Sequence, residues 1–237
     1  MIQYERQQKI LAILEKKQTA SIKELASTVF ASEASVRRDI SELENRGYVQ
    51  RIYGGVVLSK YKNSVVPVDL RDGETSAAKE LVARRAAELV FDGATVIMDA
   101  SSTVRRIVKY LDHRKNITII TNNHRIFTET TPPEITLYCT GGVYGKRNHD
   151  FSGPAAENYL RSVSADIAFF SSQGISEDGE ITDVSESETS IRRVMLSRAK
   201  KRIFLCDSSK IGVRKVFTLC KKEDIDLIIC DKKLPWE

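Results

Sequence analysis

Apolar positions recur at helical spacing in three short runs at the start of the chain. In residues 3–17, Ile10, Ile13 and Leu14 form one stripe, with Lys16 and Lys17 near its end, which predicts a first helix. Ser21 stands where a cap is needed for a second helix carrying Ile22, Leu25, Ala26 and Val29 on one face. A third stripe, Val36, Ile40 and Leu43, backs a polar face of Ser32, Glu33, Ser35, Arg37, Arg38 and Ser41. Ser32 can cap that helix and Gly47 sits where it stops. Tyr48 to Ile52 then reads as a strand, Gly54-Gly55 as a tight turn and Val56 to Leu58 as the return strand. Two helices around a short turn (about residues 20–39), followed by a hairpin, predict a winged helix-turn-helix.

The pattern then changes. Residues 59–75 show no sustained periodicity and read as a linker, although Val65, Val66, Val68 and Leu70 could dock on the second domain. A helix is predicted from Ser76 to Phe91. Apolar strands are predicted at Ala94–Asp99, Ile117–Thr121, Ile135–Cys139, Ile167–Phe170, Arg202–Cys206 and Leu227–Cys230. Helical stretches lie near 103–112, 123–130, 154–163 and 186–200. Such alternation predicts an α/β domain with a largely parallel sheet. The expected organisation is a winged head over residues 1–58, a linker over 59–75 and an α/β domain over 76–237.

Charge sharpens this division. Residues 1–62 carry 11 Lys/Arg against 7 Asp/Glu, whereas the rest carries 26 against 25. A basic module on a nearly neutral body suits a DNA-binding head on a sensing or assembly domain. No apolar run reaches membrane-spanning length and no signal peptide is visible at Met1, so the expected location is the cytoplasm. Cys139, Cys206, Cys220 and Cys230 lie in or beside strand-like runs without CxxC spacing and are expected as buried free thiols. His113, His124 and His149 are scattered, and neither a metal nor a cofactor is expected.

The first turns of a recognition helix meet base edges, which makes Ser32, Glu33, Ser35, Val36, Arg37 and Arg38 the contact candidates, with Arg51 and Tyr53 on the hairpin. Arg38 has a structural alternative, an i,i+4 pair with Glu42. Asp39 is expected to be structural, because phosphates would repel it. Ser35-Val36-Arg37-Arg38-Asp39-Ile40, Leu43, Arg46-Gly47 and Arg51-Ile52-Tyr53-Gly54-Gly55 together resemble the signature of the DeoR family of bacterial transcriptional regulators. Ser35 stands where that family usually has threonine.

In parallel sheets, ligands bind beyond the carboxyl ends of the strands. Those ends are small and polar here: Asp99-Ala100-Ser101-Ser102-Thr103, Thr121-Asn122-Asn123, Thr140-Gly141-Gly142, Gln173-Gly174-Ile175 and Asp207-Ser208-Ser209-Lys210. The serines and Thr103 at a helix start could hold an anion, although plain capping would account for one of them. Gly141-Gly142 could allow close approach to a ligand or form a turn. Taken together, these segments resemble the effector domain of the same family, whose fold is similar to ribose phosphate isomerase. The resemblance implies a phosphorylated-sugar pocket lined by Asp99, Ser101, Ser102, Thr103, Asn122, Gly141, Gly142, Gln173, Gly174 and Lys210. Ser101 replaces a usual glycine, Ser171-Ser172-Gln173 replaces a usual Gly-Ala-Asp/Asn, and Arg192-Arg193 lies where a lysine is common.

The resemblance implies a repressor of a sugar-metabolism operon, binding double-stranded operator DNA as a homodimer or homotetramer under control of a sugar phosphate. The alternative is an isomerase-like enzyme with a DNA-binding appendage, for which Asp99, Asp183, Glu186 and Glu188 are the available carboxylates.

Overall fold

The computed structural model describes residues 2–17, 19–52, 55–58, 76–129, 131–146 and 148–235. Tyr53, Gly54 and the expected linker over 59–75 lie outside the described residues. The chain divides into two compact units, Met1–Pro67 and Val68–Glu237.

The first unit holds helices α1 (Gln3–Lys17), α2 (Ile22–Thr28) and α3 (Glu33–Asn45), and strands β1 (Thr19–Ala20), β2 (Val49–Ile52) and β3 (Gly55–Leu58). The three predicted stripes meet in one core. Ile10 and Leu14 from α1, Leu25 from α2, and Val36, Ile40 and Leu43 from α3 are each at most 1% exposed. β2 and β3 pair antiparallel, with Arg51 opposite Val56, and β1 adds a third strand that the sequence did not reveal. Ser21 caps α2 through the N–H of Glu24 at 3.1 Å, and Ser32 caps α3 through that of Ser35 at 3.2 Å. Ser32→Ala should weaken α3 by about 1 kcal/mol. Faster amide hydrogen exchange at Ser35 and its neighbours would register the loss; unchanged protection there would mean the cap contributes nothing.

The second unit is organised on a six-stranded, wholly parallel sheet in the order β14-β12-β9-β4-β5-β6. Its strands are β4 (Thr95–Met98), β5 (Ile117–Thr121), β6 (Ile135–Cys139), β9 (Ala165–Phe170), β12 (Ala199–Cys206) and β14 (Leu227–Cys230). Because both faces are covered, successive strand residues are apolar. Val96 and Met98 pack to one side with α4 (Ser76–Ala87), while Ile97 packs to the other with α5 (Pro154–Arg161) and α6 (Glu186–Ser197). That double burial is why the predicted strands read as continuous apolar runs.

Some boundaries and types differ from expectation. The helix predicted to reach Phe91 ends at Ala87, and those near 103–112 and 123–130 are 3-10 turns at Val104–Tyr110 and His124–Phe127. Two small assemblies escaped the sequence reading. One is the hairpin of β7 (Val143–Gly145) and β8 (Asp150–Ser152). The other is an antiparallel sheet of β10 (Gly174–Ile175), β11 (Glu180–Asp183) and β13 (Phe217–Lys221). Their strands are short, and so carry little periodic signal.

Cys206 and Cys230 are buried free thiols as expected, but Cys220 is only partly buried and Cys139 is exposed. Strand β6 lies at the sheet edge, which leaves the Cys139 side uncovered. Burial, reinforced by Asp224, pushes the Cys220 thiol up to about 12.

Candidate functional site

Each unit presents one set of polar side chains suited to recognition. On α3, Glu33, Arg37 and Arg38 are exposed and Ser35 is partly so. Arg37 faces Glu33 one turn earlier at 3.6 Å, a loose pair between exposed groups. Arg38 does not take Glu42; its Nε donates to the carbonyl of Ala34 at 3.4 Å. Glu42 instead accepts from Gln3, Gln7 and Arg46. Asp39 is wholly buried and takes the Arg6 guanidinium on both oxygens, so it fixes α1 against α3.

Two of the contact candidates change role. Val36 has no exposed surface, because it sits on the inward stripe of α3; it supports the helix from within the core and cannot reach a groove. Arg51 is half-exposed but engaged. Its side chain donates to Ser41 Oγ and to the Arg37 carbonyl and faces Glu44 at 3.4 Å, which braces the hairpin on α3.

In the second unit, the chain enters the sheet at β4, runs outward through β5 and β6, and returns to build β9, β12 and β14 on the other side. The order therefore reverses between β4 and β9, and the crevice beyond their carboxyl ends is where such sheets receive ligands. The parallel topology brings the ends of β4, β5, β6, β9 and β12 to one edge. Asp99, Ser101, Ser102, Thr103, Asn122, Gly141, Gly142, Gln173, Gly174 and Lys210 are thus gathered from five strand ends.

The side chains divide into those already committed and those that are not. Asp99 is buried; Oδ1 accepts the Ser101 N–H at 3.0 Å, while Oδ2 accepts the Ser171 N–H at 3.2 Å and Arg192 Nε at 2.7 Å. Arg192 completes its fork with Asp183 at 2.9 Å and Glu188 at 2.8 Å. Burial opposes the Arg192 charge, but Asp183, Asp99 and Glu188 together outweigh it and raise the guanidinium pKa above the usual arginine value. Glu188 also accepts from Asn148 in the β7–β8 connection. Arg192 is therefore neither a free cation facing a ligand nor a solvated residue. It ties the β4 loop, β11 and α6 together.

Several other candidates are equally spoken for. Ser101 Oγ accepts the Val104 N–H at 3.3 Å, so this serine does perform capping. Ser171 Oγ donates to the Leu205 carbonyl and Ser172 Oγ to that of Thr182, so two of the three departures at 171–173 serve the backbone. Gly142 has φ +109°, and a Cβ there would meet the Ser152 carbonyl oxygen at 2.5 Å. At Gly174 it would meet that of Val213 at 2.2 Å. Close packing of protein backbone accounts for both glycines, so neither needs a ligand to explain it.

What remains uncommitted is specific. Among the described residues, Thr103 Oγ1, Asn122 Oδ1 and Gln173 Nε2, together with Arg105 Nε and Arg114 Nε elsewhere, are buried atoms for which no hydrogen-bond partner is found. The first three lie after β4, β5 and β9, three neighbouring strands, and leaving such groups unpaired is costly. Lys210 reaches the same edge from β12, its Nζ donating to Ser171 Oγ at 2.7 Å and lying 3.7 Å from Asp207.

The acid network missed at the sequence level had one readable signal. Glu188 and Arg192 stand four residues apart on a helix, and Arg192 occupies its inward face with Ile191 and Met195. Their convergence on Asp99 and Asp183 depends on tertiary placement.

A winged helix-turn-helix joined in one chain to a doubly wound unit with a polar carboxyl edge defines a DNA-binding regulator. Residues 6–62 match the model of the DeoR-like helix-turn-helix domain, and residues 74–232 match that of the DeoR C terminal sensor domain. The HTH-type transcriptional regulator GolR of Listeria innocua is 31% identical over 99% of this chain and 92% of its own. The HTH-type transcriptional repressor GlcR of Bacillus subtilis is 31% identical over 98% and 90%, and the L-fucose operon activator of Haemophilus influenzae 30% over 97% and 92%. The chain belongs to the DeoR family of helix-turn-helix transcriptional regulators. Among solved structures, ribose 5-phosphate isomerase A of Methanocaldococcus jannaschii matches with a TM-score of 0.43 and 19% identity, covering 58% of this chain and 55% of that one.

The protein is a regulator and not an isomerase. Its full-length relatives are named as regulators, and its carboxylates suit structure rather than proton transfer: Asp99, Asp183 and Glu188 are held by Arg192, and Glu186 is exposed.

Proposed function

We propose that the protein represses a sugar-metabolism operon by binding double-stranded operator DNA through α3 and the hairpin. A phosphorylated sugar at the carboxyl edge of the parallel sheet controls that binding. The observation that carries the effector reading is the set of buried polar atoms on Thr103, Asn122 and Gln173 that lack a partner among the described residues, at the same sheet edge as Lys210. Relatives named for L-fucose and as GlcR support sugar metabolism as the context. Residues 1–58 form the head, 59–75 the linker and 76–237 the effector and assembly domain, in a cytoplasmic homodimer or homotetramer. Two heads suit a palindromic operator, whose half-sites repeat with the symmetry of the protein. The effector acts by binding one state of the regulator more tightly than the other, since equal affinity would shift nothing.

The test is fluorescence anisotropy on DNA from upstream of the protein's own operon, with random DNA as control, at several salt concentrations and with a panel of sugar phosphates. Tight, salt-sensitive binding altered by a panel member is expected. Equal affinity for random DNA would refute operator recognition. Specific binding indifferent to every sugar phosphate would refute the effector.

A further inference from the structure

Helix α2 ends in a backbone pattern that calls for glycine, and the chain supplies phenylalanine. Past the helix, the N–H of Phe30 donates to the Ser27 carbonyl at 3.4 Å and that of Ala31 to the Ala26 carbonyl at 3.0 Å. This pair of bonds closes a helix by turning one residue into the left-handed region, and Phe30 accordingly has φ +53°. Two other non-glycine residues among the described ones have positive φ, Asn116 and His149, and both are of types that tolerate it. A bulky aromatic does not. Nor does the side chain gain anything inside the protein. In this motif the apolar contact is made by the following residue, and Phe30 is 92% exposed, the most of any large apolar side chain among the described residues. Single exposed apolar residues are ordinary; one that is also strained is not explained by the stability of the head.

Its position supplies the explanation. Phe30 lies in the turn of the helix-turn-helix, two residues before the Ser32 cap and three before α3 begins at Glu33. The first turn of such a helix enters the major groove. Two residues span at most about 7 Å and the groove is about 12 Å wide, so the ring is carried to the groove with that turn. A phenyl ring has no charge for a phosphate and no hydrogen bond for a base edge. The apolar group that the groove offers is the C5 methyl of thymine. We infer that Phe30 is a specificity-determining DNA contact, packing on a thymine methyl in each half-site beside the bases read by polar side chains of α3. Burial of the ring against the methyl offsets the strain that the free head carries. This goes beyond the operator reading proposed above and rests on its use of α3.

The test replaces Phe30 with glycine, the residue its backbone suits, and thymine with deoxyuridine, which lacks only the methyl. Full-length wild type and Phe30→Gly are titrated by anisotropy against the operator and against copies in which each thymine in turn is deoxyuridine. Both proteins are also unfolded thermally. Phe30→Gly should unfold at no lower temperature than wild type, because the strain is gone. It should nevertheless bind the operator about tenfold more weakly, with an unchanged salt slope. A purely structural residue would lose stability and affinity together. Deoxyuridine at the contacted position should cost wild type roughly fourfold, the worth of one buried methyl, and cost Phe30→Gly nothing. The contact is overturned if no deoxyuridine weakens wild type, or if Phe30→Gly binds the operator as tightly as wild type. It is also overturned if Phe30→Gly changes the sedimenting mass, which would assign the ring to a contact between copies of the chain. If wild type itself prefers no operator to random DNA, the operator reading falls first and the thymine contact with it.

Discussion

Replacing Arg192 with methionine should lower the stability of the C-terminal unit by about 3–5 kcal/mol, the range for removing one partner from a buried charge network. The reason lies in the groups left behind. Asp99, Asp183 and Glu188 are all nearly inaccessible to water, and each currently accepts a hydrogen bond from the same guanidinium. Methionine keeps the volume but supplies no charge and no donors, so three acids converge without compensation. Arg192→Lys should retain part of the stability, because it keeps the charge while losing the planar fork that reaches three acceptors. Urea unfolding followed by circular dichroism measures both. A loss below about 1 kcal/mol for the methionine variant would contradict the assigned role, since it would fall in the range of an exposed pair. The same substitution should also loosen the Asp99–Thr103 loop and weaken any ligand protection of the unit.

Arg37→Ala should weaken operator binding by about 1–3 kcal/mol, roughly 5- to 150-fold, and relax specificity at the base position it reads. Arg37 is exposed near the start of α3, and its one ion pair among the described residues is with the equally exposed Glu33, so its guanidinium is available at small cost. Arg38→Ala should instead weaken binding evenly across sequences and reduce the salt slope by about 1, the behaviour of a phosphate contact. Anisotropy titrations against the operator and single-base variants distinguish the two. If Arg37→Ala leaves the sequence preference intact, base reading belongs to another residue. Arg51 is a poorer choice for this experiment, because removing it also frees the hairpin from Ser41 and Glu44.

How much of this could be read from the sequence depends on how local each feature is. The three head stripes were legible because each is a property of one helix, and Ser21, Ser32 and Gly47 mark boundaries within a few residues. The parallel strands were legible because burial on both faces makes them apolar throughout. The β7–β8 hairpin and the β10-β11-β13 sheet were not, since strands of two to five residues give no period to count. The polar strand-end segments were singled out from their composition and their resemblance to the family. Composition could not tell the committed hydroxyls of Ser101, Ser171 and Ser172 from the uncommitted groups of Thr103, Asn122 and Gln173. That distinction rests on which carbonyls and amides the fold brings alongside. Val36 is the instructive error: proximity in sequence to Arg37 placed it among the contacts, whereas helical phase puts it on the opposite side.

The reversal of strand order between β4 and β9 also sets a timetable. The contacts that complete the head all fall within residues 2–58, among them Arg6 to Asp39 and Thr19 to Val57. The crevice needs Asp99, then Ser171 and Arg192, and finally Lys210, so one wall is made long after the other. A chain emerging from the ribosome amino end first therefore has the means to finish its head while its sensor is still half-built. The polar edge of the parallel sheet is complete only once Lys210 has been made.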